Sequence, residues 1–121
     1  MRESGLRGDP IDEAVESLKS LKPDRIILFG SRASGSTKPD SDIDLFLVKD
    51  GLNAQEMREY LYEAKRRLRK LTFKYRISFD IFGDASERLV YRAKKLNDHF
   101  YLDILEKGIS LWETGPSLQN G

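Results

Sequence analysis

Two aspartates at alternate positions, Asp42 and Asp44, are the residues of this chain with the clearest capacity for chemistry. They lie at the start of the apolar run Ile43–Val48, whose length and composition are typical of a buried strand. Because side chains alternate between the two faces of a strand, both carboxylates point the same way and repel each other. A cation between them would relieve that repulsion, so the pair predicts a metal site.

A third aspartate, Asp80, interrupts the apolar segment 76–82 (RISFDIF), which we predict to be another strand. A lone charge inside a strand is expensive to bury without a partner. If this strand neighbours the first, Asp80 lies beside Asp42 and Asp44, and three carboxylates can hold two metal ions. The chain has no cysteine and one histidine, so its ligands must be oxygens, which favour Mg²⁺ and also accept Mn²⁺.

A Gly-Ser pair, Gly30 and Ser31, follows the apolar run Arg25–Phe29 and precedes a polar loop with a possible short helical turn. A strand that ends in Gly-Ser can offer backbone N–H groups and a hydroxyl to a phosphate. Arg32 and Lys38 add positive charge to the same loop, although Arg32 could instead pair with Asp42 or Asp44. A phosphate cradle facing a carboxylate cluster is what phosphoryl or nucleotidyl transfer requires.

The bulk composition excludes several other classes of protein. The chain has 121 residues, 21 Lys and Arg against 20 Asp and Glu, and a net charge of +1, so a nucleic-acid partner is not indicated. No apolar run reaches membrane-spanning length, and the absence of cysteine suits the cytoplasm. The basic run at 65–70 is most simply a solvated helix face, with a surface for nucleic acid or a partner protein as the alternative.

Helical and strand-like segments alternate along the chain. They predict an α/β fold with a small mixed sheet of three to four strands flanked by helices. This domain would occupy 9–113, between a flexible N-terminus at 1–8 and a disordered tail at 114–121. Apolar spacing, caps and turn residues place helices at 9–21, 53–71, 84–95 and 97–108, and strands at 25–29, 43–48, 76–82 and 109–112.

The segment GSRASGSTKPDSDIDLFLV, followed by a later strand aspartate, resembles the DNA polymerase beta-like nucleotidyltransferase superfamily. More closely, it is similar to the minimal nucleotidyltransferase (MNT) domains of prokaryotes. The resemblance implies that Gly30 and Ser31 bind the triphosphate of ATP or another NTP, and that Asp42 and Asp44 ligate both metals. Asp80 would ligate the metal at the acceptor hydroxyl and act as its base.

Such domains pair with helical HEPN-type toxins, so the resemblance also implies an antitoxin that adenylylates its toxin. The alternative is a binding module that neutralises its partner by occlusion without catalysis. Transfer to a small molecule such as an aminoglycoside is a third possibility, disfavoured because the chain has little length left for an acceptor pocket.

Overall fold

One four-stranded sheet organises the molecule. The computed structural model describes residues 9–35 and 42–114. The strand order is β3-β2-β1-β4, with β1 antiparallel to β2 and β4, and β2 parallel to β3. The elements are α1 (Pro10–Leu18, extended by a 3₁₀ turn at Lys19–Leu21), β1 (Arg25–Phe29), α2 (Ser31–Ser34), β2 (Ile43–Val48), α3 (Ala54–Tyr75), β3 (Phe79–Asp84), α4 (Ser86–Val90, continued by a π-helical turn at Tyr91–Lys95), α5 (His99–Lys107) and β4 (Ile109–Glu113).

This architecture confirms the predicted α/β fold with a mixed sheet and flanking helices. Helices cover both faces of the sheet, and each face has its own core. On one face α1 and α3 pack on Leu28, Leu45 and Ile81, while on the other α4 and α5 pack on Ile27 and Phe46. Alternation along β2 therefore sends Leu45 to one core and leaves Asp44 on the face of Phe46.

The boundary between the long helix and the third strand was predicted wrongly. Helix α3 continues to Tyr75, and β3 begins at Phe79 rather than at residue 76. Arg76 is the left-handed cap of the helix, with φ 59°. Contacts with α1 hold the last helical turn, since the Tyr75 hydroxyl bonds to Glu13 and the Lys74 ammonium lies 3.1 Å from the same carboxylate.

Two details of the last helices also differ from the prediction. Asp84 is not a helix cap, because it remains in β3, and the side chain of Asp50 accepts the N–H of Ser86 at 2.7 Å instead. Helix α5 ends at Lys107, one residue before the predicted end, and Gly108 follows it with extended backbone at φ −68°. Its lack of a side chain serves packing, because a Cβ there would overlap the Ile27 side chain and lie 2.5 Å from the Ile104 carbonyl oxygen.

The predicted ends of the domain, 1–8 and 115–121, lie outside the described residues, as does Lys38. Thr114 is described, and its N–H bonds to the Asp24 carbonyl oxygen at 3.1 Å. No helix in the described part of the chain is long and apolar enough to cross a membrane.

Candidate active site

The carboxylates of Asp44 and Asp80 meet at one end of the sheet, near the start of strands β2 and β3. Strands β2 and β3 run parallel in a register that pairs Asp44 with Asp80, and both side chains extend from the same face. The predicted cluster depended on these two strands being neighbours, and the structure confirms that they are. The structure therefore brings together two of the three predicted aspartates.

Mutual repulsion is visible in the ionisation of Asp44. Partial burial, a side-chain hydrogen bond with Asp80 and the negative charges of Asp80 and Asp42 together raise the pKa of Asp44 to about 6. Asp42 is exposed, directly before β2, and acts on Asp44 through its charge. Burial and the charges of its two neighbours thus favour the protonated form of Asp44.

The Gly-Ser turn lies against this pair of carboxylates. Phe29, the last residue of β1, pairs with Asp44, so Gly30 follows directly beside it. Gly30 has φ +79° and ψ −157°, a conformation essentially restricted to glycine. A Cβ at Gly30 would overlap Asp44 Oδ2 and lie 3.1 Å from Asp44 Cγ. Glycine is required here both for the turn and for the close approach of the carboxylate.

Ser31 and Arg32 begin the short helix α2, which confirms the helical turn expected after Gly30. Ser31 is exposed and Arg32 is half-buried. The helix is anchored to the turn, since the Gly30 carbonyl oxygen accepts the N–H groups of Ala33 and Ser34 at 3.1 and 3.2 Å. Their predicted phosphate role stays a prediction.

The donor set determines which metal this site suits. Every candidate ligand is a carboxylate oxygen, and the raised pKa of Asp44 marks a place where a cation would be stabilising, so hard divalent ions fit. Among the described residues, no three acidic, His or Cys side chains converge closely enough to form a complete site. Asp44 and Asp80 would supply the central ligands and Asp42 the outer one, and their role as metal ligands stays a prediction.

Aromatic side chains beside the carboxylates are the part of the site that sequence reasoning missed. The rings of Phe29, Phe82 and Phe100 contact one another edge to face, with centroids 5.2 to 5.7 Å apart. Phe82 lies two residues after Asp80 on the same face, and alternation along the strand could have identified it. Phe100 comes from α5, and no local signal in the sequence connects it to the site.

A cavity of about 610 Å³ opens between this cluster and the Gly-Ser turn. Phe29, Gly30 and Ser31 form one wall, and Phe100 with Asp103 and Lys107 of α5 forms the other. Asp103 and Lys107 lie 3.7 Å apart as an exposed ion pair. A cavity lined by aromatic rings and a few polar groups has the mixed character of a small-molecule site.

One protein family matches most of this chain. A family model described as polymerase beta, nucleotidyltransferase matches residues 12–114, which contain the Gly-Ser turn and both aspartate strands. The chain belongs to the polymerase beta nucleotidyltransferase family. A relative of this nucleotidyltransferase in Methanocaldococcus jannaschii, named "Putative protein adenylyltransferase", is 33% identical over 105 residues, which cover 84% of this chain and 94% of the relative.

Solved structures agree on the fold of this nucleotidyltransferase. A toxin–antitoxin crystallised with AMP-PNP has a TM-score of 0.53 and 21% identity, covering 90% of this chain and 77% of the other. A mutant of the toxin–antitoxin MntA–HpeT has a TM-score of 0.52 and 19% identity at the same coverage. The likeness establishes the fold, and together with the family match it confirms the resemblance to a minimal nucleotidyltransferase domain.

Proposed function

We propose that this nucleotidyltransferase moves AMP from ATP to a hydroxyl group on a partner protein, a HEPN-type toxin, and so acts as its antitoxin. The observation that carries the proposal is the convergence of Gly30, Asp44 and Asp80 at one end of the sheet. A phosphate held at the Gly30 turn would lie next to a carboxylate pair, which is the juxtaposition that nucleotidyl transfer needs.

In the proposed transfer one bond to the α-phosphorus forms and one breaks. The acceptor hydroxyl oxygen forms a bond to the α-phosphorus of ATP, the bond from that phosphorus to the β-phosphate oxygen breaks, and pyrophosphate leaves. Asp80 takes the hydroxyl proton, and the carboxylates of Asp42, Asp44 and Asp80 would hold the metal ions. When bound, Mg²⁺ or Mn²⁺ would lower the pKa of the hydroxyl and neutralise the leaving phosphates.

The nucleoside would occupy the cavity between the Gly-Ser turn and α5. Gly30 and Ser31 bind the β- and γ-phosphates, with Arg32 as a further cation. Phe100, 40% exposed at the cavity wall, offers its face to the base. Asp103 and Lys107 provide an acceptor and a donor for the polar edge of the base or the ribose.

The acceptor is proposed from the shape of the chain and from its relatives. The described residues form the sheet and its covering helices and leave little for an acceptor pocket. The acceptor must therefore position its own hydroxyl largely through its own structure. The relative in Methanocaldococcus jannaschii carries the name "Putative protein adenylyltransferase", which gives a protein as the acceptor. The two structural neighbours are toxin–antitoxin proteins. A cytoplasmic location, predicted from composition, stays a prediction.

Transfer of labelled AMP to the partner tests the proposal. Purified chain is incubated with α-³²P-ATP, Mg²⁺ and a candidate HEPN-type partner, and the label is located by electrophoresis and mass spectrometry. We expect one AMP per modified hydroxyl on the partner, none with Asp44→Asn, and wild-type transfer with Glu87→Gln. Glu87 is an exposed carboxylate beyond the far end of β3 and serves as the matched control.

Two results would contradict the proposal in different ways. Transfer to an RNA or an antibiotic, with the partner unmodified, would overturn the protein acceptor. Neutralisation of the partner by the Asp44→Asn protein as fully as by the wild type would favour the binding module that acts by occlusion.

A further inference from the structure

The outer face of helix α3 carries aromatic and basic side chains in alternation. Arg58, Tyr62, Lys65, Arg69 and Phe73 follow one another at intervals of four, three, four and four residues. At 3.6 residues per turn this spacing keeps them within about a quarter of the helix circumference. Tyr62 is 65% exposed and Phe73 is 76% exposed, the largest exposed fractions among the exposed large hydrophobic side chains of the described residues. We call these five residues the α3 stripe.

The cations of the α3 stripe are not neutralised by the protein. Within residues 9–35 and 42–114, Arg58, Lys65 and Arg69 have no carboxylate within ion-pair distance. The three acids of α3 have other contacts, and Glu59 accepts a hydrogen bond from the Gln55 amide at 3.2 Å. Glu63 pairs with Arg66 and Arg67, at 2.7 and 2.9 Å, and Glu56 completes the capping box at the start of the helix.

Charge is strongly segregated in this molecule, although its total is close to zero. Helix α3 contains seven Lys and Arg against three Glu, whereas the whole chain has 21 against 20. The remainder of the chain is therefore acidic. The net charge of the whole chain gave no indication of a polyanionic partner because it averages the basic helix with the acidic remainder. That value does not describe the surface of α3 itself.

The α3 stripe faces away from the candidate active site. Helix α3 buries Ala64, Leu68 and Leu71 in the core that also contains Leu45. Asp44, the neighbour of Leu45 in β2, projects from the opposite face of the sheet. A ligand lying along the stripe is separated from the carboxylates by the helix and the sheet, so it cannot present a hydroxyl there.

We propose that the α3 stripe binds single-stranded nucleic acid. Lys65 and Arg69 are about 6 Å apart along the helix axis and would contact phosphates. Tyr62 and Phe73, about 16 Å apart, are placed on either side of these cations to stack on unpaired bases. This combination of isolated rings with an unpaired cationic track is typical of binding without sequence preference.

The pattern favours a nucleic-acid strand over an acidic protein. The core of a protein interface is a contiguous apolar patch depleted in charge. On the stripe each ring is instead flanked by cations, Tyr62 by Arg58 and Lys65, and Phe73 by Arg69. Duplex nucleic acid fits less well, because its bases are already stacked on each other and cannot stack on exposed rings.

Fluorescence anisotropy with labelled oligouridylate tests this proposal on the full chain. The pair Tyr62→Ser and Phe73→Ser should weaken binding at least tenfold, and Tyr91→Ser, an exposed tyrosine on α4, should not. Lys65→Gln with Arg69→Gln should lower the slope of log affinity against log salt by about 1.4, the value for two lost phosphate contacts on a single strand. Lys94→Gln with Lys95→Gln removes the same charge outside the stripe and should leave the slope nearly unchanged.

A labelled oligoglutamate peptide distinguishes the competing partner. If the peptide binds as tightly as oligouridylate, and loss of Tyr62 and Phe73 has no effect on either, the stripe is a docking surface for an acidic protein and the proposal is wrong. Absence of oligouridylate binding at about 50 mM salt would overturn it as well. Asp44→Asn should bind oligouridylate normally, so this test and the transfer assay fail independently.

Discussion

Replacing Gly30 with alanine perturbs the fold and the candidate active site through one added methyl group. The backbone at Gly30 has φ +79° and ψ −157°, where a non-glycine residue costs about 1–3 kcal/mol. The added Cβ would also overlap Asp44 Oδ2 and lie 3.1 Å from Asp44 Cγ. The Asp44 side chain must then move to make room for the methyl group.

The two contributions can be separated by a double-mutant cycle with Asp44→Ala. Removal of the carboxylate abolishes the overlap but leaves the backbone strain. We expect Gly30→Ala to lower the free energy of unfolding by about 2–4 kcal/mol in the wild type, the sum of strain and overlap. In the Asp44→Ala background the loss should shrink to the strain alone, about 1–3 kcal/mol.

Urea denaturation followed by circular dichroism, in EDTA, measures all four proteins. Gly35→Ala is the matched control, since Gly35 has φ +84° but nothing within 4 Å of an added Cβ. An equal cost for Gly30→Ala in both backgrounds would show that the carboxylate does not lie against the turn. A cost below about 0.5 kcal/mol would refute the strained conformation as well.

Three further substitutions follow from the same geometry. Asp44→Asn should abolish AMP transfer and, in EDTA at neutral pH, raise the free energy of unfolding by about 1 kcal/mol, a value discounted for the partial exposure of Asp44. The pKa of Asp44 is raised from 3.8 to about 6 in the folded state, so the folded wild type binds a proton more tightly than the unfolded chain does. The free energy of unfolding of the wild type should therefore fall as the pH rises through that range, and the variant should lack this fall. Gly108→Ala should cost about 1–3 kcal/mol in urea denaturation, since the Cβ meets the Ile104 carbonyl at 2.5 Å; a neutral result would place the end of α5 elsewhere. Phe100→Ala should weaken ATP binding in calorimetry severalfold, by loss of stacking, while Tyr91→Ala leaves it unchanged; equal effects would remove the base from the predicted cavity.

Local patterns in the sequence were sufficient to predict the residues of the candidate site. Alternation along a strand places Asp42 and Asp44 on one side, and the absence of cysteine leaves only oxygen ligands. The Gly-Ser pair identified the turn because glycine is needed where the backbone is strained. These are properties of adjacent residues, which is why they could be predicted without the fold. The order of strands and helices followed in the same way from apolar spacing.

The tertiary structure decided strand pairing, element boundaries and contacts between distant residues, which adjacent residues cannot determine. Parallel pairing of β2 with β3 put Asp80 beside Asp44, where it adds to the effect of burial in raising the pKa of Asp44. Residues distant in sequence moved the boundaries of two elements: Glu13 holds the last turn of α3, and Asp50 caps α4. Phe100 reached the site because α5 packs across the sheet. Such contacts contribute enough free energy to override the secondary-structure propensity of a short segment. Burial and charge pairing depend on which surfaces meet, and neither local patterns nor composition contain that information.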